Sequence, residues 1–206
     1  LNRDEKTFKV KVGEWRLPEF EYLKDCQWEF TEKVDGTNIR VMWTTEKILW
    51  GGKTDNAQIP VSLISKLQEL FPISKFQNIF PDPLCLYGEG YGAKIQKGGG
   101  NYISNGVDFV LFDILIGDWW LQRKDVNAIA QKLGIKVVPT LNRGTLIQAV
   151  EKVQGGFISQ WGNFLAEGIV VRPMVELKMR SGHRIIGKIK YRDFEGNGLP
   201  IKNGLI

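Results

Sequence analysis

Short runs in which apolar and polar residues alternate are the commonest pattern along this chain. Such runs, rich in aromatic and β-branched residues and bounded by Gly, Asn or Asp, predict β-strands. In sequence order they are CQWEFTE (26–32), NIRVMWTT (38–45), KILWGGK (47–53), LCLYGEG (84–90), VDFVLFDILI (107–116), GIVVRP (168–173) and HRIIGKIKY (183–191). Neighbouring strands follow one another in pairs, which favours antiparallel sheets over a parallel sheet with alternating helices.

Three stretches have the helical spacing of apolar residues instead. They are VSLISKLQELF (61–71), RKDVNAIAQKLG (123–134) and GTLIQAVEKVQGG (144–156). Pro60 precedes the first, and Gly134 and Gly155 end the other two, which is typical of helix boundaries. The predicted fold class is therefore α+β, with antiparallel β-sheets flanked by helices in one domain over residues 1–206.

Several charged residues lie in or beside these predicted strands, where a charge needs a partner or a function. They are Lys33, Glu89, Asp113, Glu167, Lys188 and Lys190. Lys188 and Lys190 alternate with isoleucine, so both face the same side of a strand. Two neighbouring ammonium groups repel each other, and an anion such as phosphate would relieve the repulsion. A structural network of ion pairs is the alternative explanation.

Composition excludes several classes of site and partner. The formal net charge of +5 favours a polyanionic partner such as a nucleic acid or nucleotide. A single histidine, His183, leaves almost nothing from which to build a histidine-based zinc site or a Ser-His-Asp triad. The two cysteines, Cys26 and Cys85, lie in strand-like surroundings and predict a reduced protein. No segment has the apolar length of a transmembrane helix and the N-terminus lacks a signal-peptide core, so we expect a protein of the cytosol, viral or host, with no membrane partner. We also expect a monomer.

Five short motifs, in order, resemble those of the covalent nucleotidyltransferase superfamily, which includes polynucleotide ligases and mRNA capping guanylyltransferases. KVDGTN (33–38) is similar to motif I, LYGEGYG (86–92) to motif III, DFVLFDI (108–114) to motif IIIa, EGIVVRP (167–173) to motif IV and KIKYRDF (188–194) to motif V. One KxDG is weak evidence, whereas five motifs in the family's order and spacing make coincidence improbable. Asn38 and the K-x-K-x-x-x-F form of motif V resemble the branch of ATP-dependent RNA ligases that includes phage RNA ligases and RNA-editing ligases. The resemblance implies an adenylyltransferase domain with an ATP-grasp-like ligase fold.

The resemblance implies that Lys33 is the catalytic nucleophile. Its amine would attack the α-phosphate of ATP, leaving AMP covalently bound to Lys33, and the AMP would then pass to an RNA 5′-phosphate. Joining of that end to an RNA 3′-hydroxyl would follow. A protonated lysine cannot attack, and nearby Lys188 and Lys190 together with a divalent metal, Mg²⁺ or Mn²⁺, would disfavour the charged form.

The same resemblance assigns the nucleotide-binding residues. Glu89 would accept a hydrogen bond from the ribose, and Glu167 would help to hold the metal. Phe109 would stack on adenine, with Phe112 as the competing candidate on the other side of the strand. The full set of implied cofactor-binding residues is Glu32 (through its backbone), Val34, Asn38, Lys53, Glu89, Phe109, Glu167, Lys188 and Lys190.

Two departures from the family pattern affect the choice of branch. Lys53 stands where the family usually has an arginine that contacts the ribose, and a lysine keeps the charge without the planar fork. Asp35 stands where many RNA ligases have histidine, whereas DNA ligases and capping enzymes commonly have aspartate. A DNA ligase, a capping guanylyltransferase and a non-catalytic nucleic-acid-binding module are therefore alternatives to an RNA ligase.

The C-terminal end of the sequence also departs from the family. Related ligases carry a further domain after motif V, and this sequence ends twelve residues after Phe194. A segment of that length is too short to bury a core of its own. The sequence thus predicts an isolated adenylyltransferase domain without the C-terminal accessory domain.

Overall fold

The computed structural model describes residues 1–7 and 9–194. Its strands are β1 (Asn2–Arg3), β2 (Val10–Lys11), β3 (Trp28–Glu32), β4 (Thr37–Trp43), β5 (Ile48–Gly51), β6 (Leu84–Gly92), β7 (Val107–Ile116), β8 (Trp119–Trp120), β9 (Lys136–Val137), β10 (Thr140–Gly144), β11 (Gly168–Pro173) and β12 (Gly187–Lys190). Its α-helices are α1 (Pro18–Leu23), α2 (Val61–Leu70), α3 (Ile73–Ile79), α4 (Gly99–Tyr102), α5 (Arg123–Leu133) and α6 (Leu146–Gln154). A 3-10 helix spans Tyr191–Asp193.

The terminal unit consists of residues 1–33 and the described residues from Pro139 onward. Its main sheet has four antiparallel strands in the order β10-β3-β11-β12. On one face, Trp28 and Phe30 of β3 form a core with apolar residues of β11, β12 and α6. Because side chains alternate along a strand, the opposite face carries other residues of β3. This charged face includes Glu29, Thr31 and, just after the strand, Lys33.

The central unit, residues 34–138, is built on a second sheet. Its antiparallel strands have the order β5-β4-β6-β7-β8, and β9 pairs in parallel with β7. Helices α2, α3 and α5 contribute to a core with one face of this sheet, which includes Ile39, Leu86 and Leu111. The alternate residues of β4 and β6, among them Asn38 and Glu89, lie on the opposite face, called the polar face below.

The α+β class and the antiparallel sheets predicted from the sequence are confirmed. The sequence pattern does not predict β10, because its TLNRG segment is mostly polar and lacks alternation. Cys26 and Cys85 are free thiols, but only Cys85 lies in a strand; Cys26 is exposed and precedes β3, which corrects its expected strand-like surroundings. His183 is exposed, as expected. Across the described residues, no helix combines the length and the apolar character needed to cross a bilayer. The segment after Phe194, on which the expectation of a missing accessory domain depends, lies outside the described residues.

Candidate functional site

Lys33, Glu167 and Lys190 form a cluster of charges in the terminal unit. The Lys33 Nζ lies 2.6 Å from Oε2 of Glu167, and the Lys190 Nζ lies 3.1 Å from Oε1 of the same carboxylate. The side chains of Lys33 and Glu167 are only 14% and 13% exposed. One carboxylate therefore bridges two ammonium groups, and the cluster has a surplus positive charge that favours an anionic ligand.

The strand register explains why these residues meet although they are far apart in sequence. Gly168 of β11 is paired with Lys190 of β12, and Ile169 with Glu32 of β3. The backbone N–H of Lys33 donates to the Gly168 carbonyl at 2.9 Å. The end of β3, the beginning of β11 and the end of β12 therefore meet at one point.

Gly168 makes this close approach possible. Its φ is +152°, and a Cβ at this position would lie 2.0 Å from the carbonyl oxygen of Ile189. A side chain there would push β12 away from β11, since the clashing atom belongs to the backbone. The glycine of motif IV thus has a steric role in bringing Lys190 near Glu167.

Lys188 lies on the same face of β12 as Lys190, as the alternation predicted. Both residues flank Ile189, which packs in the core on the other side. Lys188 is paired with Val170 of β11 and is exposed. The structure therefore brings Lys33, Glu167, Lys188 and Lys190 to one region of the charged face.

The side chain of Glu32, the residue before Lys33, is buried and holds a loop. Its residue is 1% exposed, the Ser159 hydroxyl donates to one carboxylate oxygen, and the Gln160 N–H donates to the other at 2.8 Å. Burial raises the pKa of the Glu32 carboxyl, and the two hydrogen bonds offset part of this effect. The Glu32 N–H donates to the Pro139 carbonyl, so an interaction of its backbone with adenine would have to use the carbonyl oxygen. Sequence reasoning missed Ser159 and Gln160, which lie in an irregular loop without a motif.

The turn of motif I is held by residues of the central unit that sequence reasoning also missed. The N–H of Asp35 donates to the Tyr102 hydroxyl at 3.1 Å, and the Gln96 amide donates to the Gly36 carbonyl at 3.3 Å. Gly36 has no room for a side chain, because a Cβ would lie 2.3 Å from the carbonyl oxygen of Gly90. The segment that contains α4 therefore fixes the turn immediately after Val34, which is buried.

Asn38 and Glu89 lie side by side on the polar face of the central sheet. The two residues are direct partners in the pairing of β4 with β6, and Glu89 is also paired with Val110 of β7. Both are partly exposed. Their predicted proximity to a common ligand is therefore compatible with the register.

Phe109 lies on the opposite face from Glu89, which corrects its predicted place beside the nucleotide. It is paired with Gly90, is 1% exposed, and meets the Phe71 ring edge-on at 5.3 Å within the core. Its ring also fills the space beside Gly88, where a Cβ would lie 2.1 Å from it. Stacking on adenine would require this ring to leave the core, so the geometry disfavours Phe109.

Phe112 is the better placed of the two phenylalanines. It lies where the register of β6 with β7 shifts, between the pairs Tyr87–Asp113 and Gly88–Leu111. This extra residue changes the alternation of side chains along β7. Phe112 is half-buried and does not belong to the core cluster formed by the described residues. Part of the Phe112 ring is therefore accessible to a ligand, whereas the Phe109 ring is buried.

Lys53 is exposed on a loop that Arg40 holds from both sides. The Arg40 guanidinium donates to the Gly52 carbonyl at 2.8 Å and to the Asp55 carboxylate at 2.6 Å. The loop is thus held one residue before Lys53 and two residues after it. Arg40 itself is committed to this role, so Lys53 remains the candidate for the position that the family usually fills with arginine.

The donor atoms at Glu167 suit a hard divalent cation that is shared with a substrate. Among residues 1–7 and 9–194, no group of three or more His, Cys, Asp or Glu side chains could form a metal site alone. Mg²⁺ commonly binds through one or two carboxylates together with substrate phosphates and water. A metal at Glu167 would fit that arrangement.

Comparison with known proteins agrees with this geometry. The RNA ligase family matches residues 27–190, most of the chain. An apo mutant of Naegleria gruberi RNA ligase superposes with a TM-score of 0.68 and 23% identity, covering 92% of this chain and 57% of that one. A mutant of that ligase with ATP and Mn gives a TM-score of 0.67 and 22% identity, and its complex with PPi gives 0.67 and 23%; each covers 89% of this chain and 56% of that one.

The chain spans a little over half the length of these solved ligases, and the likeness to them shows the fold. No curated protein sequence matches it. The family match includes all five motifs except the last residues of motif V. On this evidence, the chain belongs to the RNA ligase family.

Proposed function

We propose that this chain is the adenylyltransferase domain of an ATP-dependent RNA ligase. The observation that carries the proposal is the cluster in which Glu167 bridges Lys33 and Lys190, because it joins motifs I, IV and V at a partly buried site of surplus positive charge. A covalent nucleotidyltransferase needs a nucleophilic amine, a metal-binding carboxylate and cations for phosphate at one place. This cluster supplies all three.

In the first step, the Lys33 Nζ bonds to the α-phosphorus of ATP. The bond from that phosphorus to the oxygen bridging to the β-phosphate breaks, and pyrophosphate leaves with the electron pair. Starting from the ammonium form, the lysine gives up two protons to solvent, one before the attack and one from the nitrogen after it, and the product is a lysine-AMP phosphoramidate. Lys188 and Lys190 stabilise the charge that develops on the α-phosphate oxygens.

For this attack, the Lys33 amine has to leave the Glu167 carboxylate. A carboxylate that binds a divalent cation, Mg²⁺ or Mn²⁺, together with the nucleotide can no longer hold the ammonium form of the lysine as well. The bound cation would act as a Lewis acid on the phosphate oxygens. Glu167 would therefore have two roles: it pairs with Lys33 in the structure, and it would hold the metal once the nucleotide is bound.

The other motif residues bind the nucleoside. Glu89 accepts a hydrogen bond from the ribose, Asn38 and Lys53 contribute polar contacts, and Phe112 in place of Phe109 stacks on adenine. The carbonyl oxygen of Glu32 accepts from the amino group of adenine. The position of Val34, immediately after the nucleophile, fits a backbone contact to the same base.

In the later steps, the substrate is RNA. An oxygen of an RNA 5′-phosphate attacks the phosphorus of the lysine-AMP, the P–N bond breaks, and the Lys33 amine is regenerated. A 3′-hydroxyl then attacks the activated 5′-phosphate, AMP leaves, and the strands are joined. We place the protein in the cytosol, viral or host, as a monomer.

A labelling experiment tests the proposal. The chain is incubated with Mg²⁺ or Mn²⁺ and with ATP, GTP or NAD, each labelled in the nucleotidyl group, and resolved on a denaturing gel. We expect label from ATP alone; label from GTP or NAD instead would favour a capping enzyme or an NAD-dependent ligase. Lys33→Ala abolishes the label, whereas Lys178→Ala, which removes an exposed lysine of the same unit, retains it. A wild-type chain that takes no label would favour a non-catalytic binding module.

A further inference from the structure

The positive charges on the charged face of the terminal sheet extend well beyond the motif residues. The register defines three rows across the strands, each two residues from the next. Lys33 and Lys190 lie in the first row with Gly168, and Lys188 lies in the second with Thr31 and Val170. The third row contains Glu29 of β3 between Arg172 of β11 and Arg143 of β10.

The third row has a net positive charge, to which Arg143 contributes from outside all five motifs. Glu29 is buried, and its carboxylate lies 4.0 Å from the Arg143 guanidinium. The Arg143 side chain is 62% exposed, whereas Glu29 has only 7% of its side chain exposed. Two guanidinium groups accompany this one carboxylate, and Arg143 presents its donors to solvent. An anion can therefore reach Arg143 without displacing a buried ion pair.

The spacing of the rows determines which anion fits. Four residues of a β-strand separate the first row from the third, which corresponds to about 13 Å. The β- and γ-phosphates of ATP follow the α-phosphate through single bridging oxygens, so with the α-phosphate at Lys33 they extend over about one row, whatever their direction. A phosphate at the third row must belong to a longer polyanion. A polynucleotide strand has this property.

We propose that Arg143 contacts a backbone phosphate of the RNA strand, at a position beyond the reach of ATP. The contact depends on the proposed function only in that the same face receives the RNA end. Arg143 is a binding residue that none of the five motifs contains, and its guanidinium supplies two parallel donors to a phosphate. Glu29, which also faces this position, limits the net charge of the row.

Salt-dependent binding of RNA measures this contact directly. The probe is a short 5′-phosphorylated single-stranded RNA with a fluorophore, titrated without ATP over a series of KCl concentrations. For single strands, each lost phosphate contact reduces the slope of log K against log salt by about 0.7. Arg143→Ala and Arg143→Gln should show this reduction and weaker binding at low salt, and Arg143→Lys should retain the slope.

The control is Arg180→Ala, which removes an exposed arginine of the same unit from a turn outside the sheet. It should leave the slope unchanged, and the melting temperatures of all variants are compared with that of the wild type. Self-adenylylation is measured in parallel to separate this proposal from the function itself. If Arg143→Ala slows labelling by ATP and leaves the RNA slope intact, Arg143 binds the nucleotide and the proposal is wrong. Unchanged slopes in both Arg143→Ala and Arg143→Gln would also overturn it. A wild-type chain that binds RNA but takes no label from ATP would refute the proposed function alone.

Discussion

The positions of Phe109 and Phe112 predict opposite consequences for the same substitution. Phe109→Ala empties a site in the core of the central unit, where the ring is 1% exposed and contacts Phe71. Truncation of a buried phenylalanine costs about 3–5 kcal/mol. In a chain of this size, each kcal/mol lowers the melting temperature by about 2–4 °C, so we expect a loss of roughly 6–20 °C.

Phe112→Ala should act on nucleotide binding and much less on stability. The residue is half-buried and lies outside the core cluster of the described residues. Stacking of a base on an aromatic side chain contributes about 1–3 kcal/mol. Its loss should raise the KM for ATP in self-adenylylation by roughly fivefold to a hundredfold.

Two measurements on each variant are needed to test this reasoning. Urea or thermal unfolding followed by tryptophan fluorescence gives the change in stability, and the rate of AMP labelling against ATP concentration gives KM. The milder Phe109→Leu keeps the core filled and should bind ATP normally. A Phe109→Ala variant as stable as the wild type but defective in ATP binding would refute the placement of Phe109, and so would a Phe112→Ala variant with normal KM and reduced stability.

Three further predictions concern Glu32, Tyr102 and Glu167. Because burial raises the Glu32 pKa, the folded protein binds a proton there more tightly than the unfolded chain does, and Glu32 makes stability fall as pH rises from about 4.3 through the folded-state pKa. Glu32→Gln should flatten this part of a plot of unfolding free energy against pH, and parallel plots for the two proteins would contradict the prediction. Tyr102→Phe removes the acceptor of the Asp35 N–H, so it should cost about 0.5–1.5 kcal/mol of stability and slow single-turnover AMP labelling. An unaltered labelling rate would show that this hydrogen bond does not position the nucleophile. Glu167→Gln should slow labelling by roughly a hundredfold or more, with partial recovery at high metal concentration, and a loss that metal cannot reduce would argue against a metal at Glu167.

Local features of the sequence predicted what depends on local structure. The alternating runs predicted most long strands, and the KVDGTN stretch predicted the turn after β3, since both patterns follow from neighbouring residues. The common face of Lys188 and Lys190 followed from the period of a strand. The meeting of Lys33 with Glu167, 134 residues apart, could be expected only from the resemblance to a family.

Features that depend on distant contacts were not predictable from the pattern. The resemblance alone favours Phe109 over Phe112, and nothing in DFVLFDI indicates where the extra residue of β7 lies, although this register shift changes the alternation of side chains along the strand. Ser159 contacts Glu32 from 127 residues away in a loop without periodicity. Arg143 lies on a strand whose polar sequence gave no signal, and its relation to the charged face appears only in the pairing of β10 with β3.

Peptide mapping of the adenylylated chain tests the central claim most directly. The wild-type protein is incubated with ATP and metal, digested under conditions that preserve the P–N bond, and the AMP-bearing peptide is identified by tandem mass spectrometry. We predict that AMP is attached to the Nζ of Lys33 and that no adduct forms in Lys33→Ala. Attachment of AMP to Lys188, Lys190 or any other residue, or continued labelling of Lys33→Ala, would contradict the assignment of Lys33 as the nucleophile.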